Sequence, residues 1–114
     1  MSGFVKIGRW EICTLEGGGL HLDGGAMFGS VPRVVWEGCI PPDDQHRIPL
    51  ATRLLLLKDS ESDRIAVIDA GVGDKEDPSF RDRFAIWLPE GRSEPPLWSA
   101  IRSAGVDPDT VTDL

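Results

Sequence analysis

The chain has no tyrosine, two histidines and two cysteines in 114 residues, and each scarcity removes a class of function. A catalytic zinc takes at least three protein ligands from His, Asp, Glu or Cys, converging on one point. His21 and His46 belong to neither an HxH nor an HExxH spacing, so they read as ordinary surface or hairpin histidines. Cys13 and Cys39 form no CxxC pair and no disulfide framework. Both sit in apolar surroundings, so free, buried structural thiols in a reducing compartment are the simplest reading, with a single bridge as the alternative. No GxSxG elbow presents a nucleophilic serine. No run approaches the roughly 18 apolar residues of a membrane span. The N-terminus, Met1 to Trp10, carries Lys6 and Arg9 without an apolar stretch, so it is not a secretory leader. A soluble, cytoplasmic protein is expected.

Positive charge is scarce as well. Twelve Lys and Arg face nineteen Asp and Glu, for a net charge of -7. A phosphate backbone is repelled on average, which argues against nucleic acid as a partner. Glycine and proline are plentiful instead, at 13 and 9 residues, which predicts many turns. The length suits one domain, and the 40% hydrophobic content suits a folded one.

Along the chain, apolar residues alternate as Val5 and Ile7, then as Trp10 and Ile12 after a one-residue shift at Gly8 and Arg9. This predicts a strand bulged near Gly8. Gly17, Gly18 and Gly19 predict a tight reversal, with Leu20 to Leu22 pairing back as a hairpin. Ala26 to Trp36 is apolar but irregular, so an ordered loop with a turn of helix is expected there. Cys39 to Pro49 reads as a connection over the surface. Leu50 to Leu57 and Ile65 to Ile68 read as adjacent antiparallel strands, and their near-continuous apolar character predicts cover on both faces.

Two short helices are expected. Asp77 can cap the first, with Pro78 at its opening position and Phe80 and Phe84 on one face. The second runs from about Pro95 to Ala104, with Gly105 as its stop. A turn over Asp107 to Asp109 then leads into a strand beginning near Val111.

No complete catalytic constellation emerges from these residues. Gly71 to Gly73 lacks the third glycine of a GxGxxG loop, and Gly24 to Gly29 lacks the Lys and Ser/Thr of a Walker loop. Asp69 stands at the end of a strand, where α/β proteins place their sites, and equally where an aspartate caps its own loop. Met27, Phe28 and Trp36 suit an apolar pocket and core packing alike. Asp74, Glu76 and Asp77 read as a solvated helix start.

Several segments taken in order resemble one family. They are Leu22 to Gly29, Val31 to Arg33 with Trp36, Ile40 to Asp43, Arg47 with Ile48, Leu50 with Ala51 leading into Leu54 to Leu57, Val67 to Lys75, Phe80 to Asp82, Ala104 to Val106 and Pro108 with Asp109. Together, from about Ile7 to Leu114, they resemble the N-terminal part of metallo-β-lactamase-fold metallo-hydrolases, in particular the branch with lactonase-like enzymes. The resemblance implies an α/β fold: the N-terminal half of an αββα sandwich, with mostly antiparallel or mixed strands, so that residues 1–114 form a single partial domain. It also implies a metal-dependent hydrolase of ester, lactone or amide bonds, using zinc or another divalent metal pair. In that family the ligands begin with an HxHxDH motif just beyond the position of Leu114, so the resemblance assigns no metal ligand and no catalytic residue to this chain. Asp69 matches the Asp of the family's Asp-Thr-Gly segment, with Ala70 where Thr is usual, and is expected to lie close to the metal site, where it either supports a metal ligand by hydrogen bonding or fixes its own loop. Met27 and Phe28 match a loop bordering the substrate pocket.

The expected partners are therefore a small-molecule substrate, with a second copy or a C-terminal half as further options, and neither nucleic acid nor membrane. The 114 residues alone are expected to be inactive, exposing a sheet face that leaves them molten, aggregating or dimeric. Two alternatives stand beside this: a non-catalytic interaction module that pairs through its exposed sheet with another chain, and a truncated gene model of a longer protein.

Overall fold

Gly8 takes a left-handed φ of 60° and with Arg9 forms a two-residue turn of the kind that needs glycine at its first central position. It joins β1 (Val5–Ile7) to β2 (Trp10–Asp23), and Ile7 faces Trp10 across it. The expected bulge near Gly8 is thus a hairpin turn. The expected reversal at Gly17 to Gly19 is in turn a bulge, because β2 runs straight through the glycines and its register with the next strand shifts between Glu16 and Gly19.

The computed structural model describes residues 3–89 and 94–114. After β2 come α1 (Gly24–Phe28) and α2 (Arg33–Trp36), then β3 (Arg47–Asp59), β4 (Ile65–Ile68), α3 (Pro78–Arg83), α4 (Pro96–Ser103) and a 3-10 turn at Pro108–Thr110. The strands form one antiparallel sheet in the order β1-β2-β3-β4. Two helices beyond the expected pair, α1 and α2, occupy the irregular apolar stretch. The connection expected through Pro49 ends sooner, since β3 already starts at Arg47, opposite Asp23. Pro49 is exposed on that strand.

α3 is capped as its sequence predicts, with the Asp77 carboxylate accepting from the Phe80 amide at 2.9 Å. α4 starts on Pro96 and stops before Gly105, whose φ is 78°. Its inner side, Ala100 and Ile101, packs with Val106 on Cys13, Leu15, Leu54, Leu56 and Val67 to make the main core. Burial pushes the Cys13 thiol pKa up. Cys39 differs from expectation: it is exposed, lying just beyond α2 where no element covers it, and both thiols are free. The last residues run parallel to β4 at its outer edge. Thr112 N donates to Ile65 O at 2.8 Å, and Val67 N to Asp113 O at 2.9 Å.

Only one sheet face is covered among the described residues, against the expectation of two. The register sets Val5, Ile12, Leu57 and Ala66 in one row across the four strands, and Thr14, Leu55 and Ile68 in the next. These rows face away from α4, and Val5 is 61% and Ile68 53% exposed. The apolar run signalled a need for cover that no element of residues 3–89 and 94–114 meets.

Candidate functional site

Asp69 directly follows β4 in a left-handed conformation, φ 78°, which aspartate tolerates better than most residues. Its Oδ1 accepts from the amides of Ala70 at 2.6 Å and Gly71 at 3.0 Å, so one carboxylate oxygen fixes its own loop. The side chain is exposed. Gly71 sets this loop against the bulge, close to Thr52, Leu54 and Gly17. The Thr52 hydroxyl there is buried and without a hydrogen-bond partner.

Met27 and Phe28 lie elsewhere, in α1 at the tip of the β2–β3 hairpin. Asp23 caps α1, accepting from Ala26 N at 2.9 Å. Phe28 stacks on Trp36 with ring centroids 5.3 Å apart and planes 4° from parallel. Trp36 is buried, and the Arg33 guanidinium carbon lies over its ring, 5.7 Å from the centroid. Phe28 therefore packs the tip, while Met27, 48% exposed, is the one free to meet a ligand. From Leu55, opposite Ile68, to Arg47, opposite Asp23, β3 runs eight residues, roughly 26 Å at strand rise. The described chain does not bring Asp69 and Met27 together directly.

What lies between them went unsignalled in the sequence. Arg47 is held by Asp43 at 2.9 Å and donates through Nη1 to Arg83 O at 2.8 Å. The Asp43 carboxyl sits below its usual range, first through the Arg47 amide and then, against desolvation, through the Arg47 guanidinium and Gln45 amide. His21 Nδ1 lies 3.1 Å from Ala85 O; a carbonyl only accepts, so Nδ1 carries the proton. His46 instead accepts from Arg33. The two histidines serve two different local contacts, and among the described residues no three His, Cys, Asp or Glu converge to hold a metal ion. Asp74 and Glu76 are exposed and Asp77 is a helix cap, as their solvated reading implies.

A cleft of about 490 Å³ opens at the other end of the sheet, between Lys58, Ser62, Arg64, Thr110 and Thr112. Its hydroxyls are spent internally: Ser62 on Asp59, Thr110 on Asp107 and Thr112 on Ile65 and Asp113.

No protein-family model and no curated protein matches the chain. Among solved structures it is similar to a probable metal-dependent hydrolase from Staphylococcus aureus, at 27% identity and a TM-score of 0.76. The match covers 94% of this chain and 36% of that one, so the chain spans about a third of the length of its neighbour. The α/β architecture of this chain, a four-stranded antiparallel sheet with short helices, is thus that of a fragment of a hydrolase fold. No helix among the described residues is long and apolar enough to cross a membrane.

Proposed function

We propose that the chain is the N-terminal part of a metal-dependent hydrolase of the metallo-β-lactamase fold, from its lactonase-like branch. In this reading the complete enzyme cleaves an ester, lactone or amide bond of a small molecule, with zinc or another divalent pair held by residues beyond Leu114. The single observation that carries the reading is the structural likeness to a probable metal-dependent hydrolase over 94% of the chain. In this reading the metal ligands lie outside residues 1–114, and these residues alone are expected to be inactive. Their part is to place Met27 toward substrate, with Phe28 backing it, and to hold the Asp69 loop.

The test is intact mass and metal content of the protein from its native source, with ester and lactone hydrolysis measured before and after chelation. A mass well above 12.5 kDa, bound divalent metal and chelator-sensitive turnover are expected. A metal-free protein of that mass without turnover overturns the hydrolase reading. The open apolar face, with Val5, Ile7, Leu55 and Ile68 exposed, favours a second reading in that event: an interaction module that pairs through its sheet with a second copy or another chain.

A further inference from the structure

Between β4 and α4 the chain makes a long excursion in which no residue from Ile68 to Pro89 is buried. Its described residues up to Pro89 are nevertheless bonded to one another. The rings of Phe80 and Phe84 meet at 4.8 Å, Arg81 Nη2 donates to Gly73 O at 2.8 Å, and Ile86 N donates to Arg81 O at 3.0 Å. Its attachment to the sheet is local. Arg47 holds Arg83 O, His21 N donates to Phe84 O at 2.6 Å, and the His21 ring donates to Ala85 O. Gly19 and Trp87 exchange a pair of backbone bonds at 2.9 and 3.0 Å. The Trp87 indole lies where a side chain on Gly19 would stand, and it remains 45% exposed.

Two backbone features flank this latch. Gly71 has φ 69° at the start of the excursion, and Ala85, not a glycine, is held at φ 42° inside it. A left-handed alanine costs energy that persists only while its neighbours enforce it. Opening would return a handful of hydrogen bonds to water and lift Trp87 and Leu88 off Gly18 and Gly19, without disturbing any of the fully buried side chains under α4.

We propose that residues 72–88 form a strap that swings open as one body about Gly71, freeing the β2 edge at Gly19 to His21 while the sheet and α4 stay folded. Arg47 and His21 are its latch. The strap runs from the Asp69 loop to Arg47, the strand partner of the residue that caps α1, so its motion gates the space between Asp69 and Met27. The gating role rests on the hydrolase reading; the opening does not.

Native-state hydrogen exchange on the unmodified protein tests the opening. The amides of Gly19, His21 and Trp87 all bond across the latch, so they are expected to share one rate and one dependence on denaturant. That rate should be at least about tenfold faster than the β2–β3 amides around Cys13 and Leu56. Arg47→Ala should speed the three latch amides together by roughly tenfold, the worth of one hydrogen bond from a charged donor, and leave the sheet amides unchanged. Latch amides that exchange with the sheet, or independently of one another, overturn the strap. So does an Arg47→Ala effect that falls equally on latch and sheet. A strap that opens as described in a protein showing no hydrolysis would sink the gating role alone.

Discussion

Under α4, eight buried side chains from three strands, one helix and the turn after it share the packing, and none of them is aromatic. At the far end of the β2–β3 hairpin the arrangement is reversed: one buried indole, Trp36, is the hub on which Phe28, Arg33 and Gly24 converge. The body spreads its stabilisation over many small contributions, so each is replaceable in part. The tip concentrates it in one residue, which lets a short stretch of chain hold a shape far from the main core. A tip built this way can unfold while the body persists, and four measurements can break or sharpen that contrast.

Trp36→Ala has the largest expected effect, about 3–5 kcal/mol of packing, confined to the tip. The amides of Gly24 and Glu37, bonded to His46 and Arg33, should lose exchange protection while those near Leu56 keep theirs; equal losses would mean that tip and body are one unit. Leu56→Ala should cost about 2–5 kcal/mol across the whole chain, read as a lowered urea midpoint by circular dichroism. A change limited to near-neighbours would count against a shared core. Gly24→Ala acts at the tip through crowding. Its Cβ would lie 2.7 and 2.9 Å from Cζ3 and Cζ2 of Trp36 and nearer still to Cη2, for an expected loss of about 1–3 kcal/mol that should vanish in a Trp36→Ala background.

The smallest effect lies at the body's opposite end. Arg9 grips both oxygens of Asp59 at 2.7 and 2.6 Å, helped by the Ser62 hydroxyl and the Glu61 amide. Arg9 above all, then Ser62, holds that carboxyl well below the usual range against desolvation. A carboxyl depressed on folding stabilises the fold above its unfolded pKa of about 4 and loses that contribution as pH falls further. Body stability should therefore decline from about pH 4 into stronger acid, and Asp59→Asn should flatten that decline. An unchanged acid slope in the variant would show that the clamp contributes nothing; because Arg9 is half-exposed, the contribution is modest.

How much of this was legible in the sequence depends on how local each signal is. The cap of α3 at Asp77, the stop of α4 at Gly105 and the pairing of β3 with β4 rest on neighbours a few residues away, and they stand as expected. The glycines exchanged roles because composition says only that a backbone is unencumbered. Gly8 turns, whereas Gly17 to Gly19 admit Thr52, Trp87 and Leu88 from distant parts of the chain. Arg47 and the strap it fastens carried no local mark at all. Asp69 was legible as a position, and its loop-fixing hydrogen bonds fit the milder of its two readings; Phe28 proved to be packing as much as surface.

The bulge at Gly17 to Gly19 has one more consequence, for how this chain can vary over generations. Upstream of it the side chains turned toward α4 are odd-numbered, Cys13 and Leu15; downstream Leu20 and Leu22 line up with Leu50 and Ile48 on that same side. Adding or losing one codon there would invert the strand from Leu20 to Asp23, turning Leu20 and Leu22 to the open face and His21 to the side of α4. Variation between Glu16 and Leu20 should therefore arrive as substitutions or as paired changes of two residues, and single-residue length changes should be weeded out even though no side chain is lost.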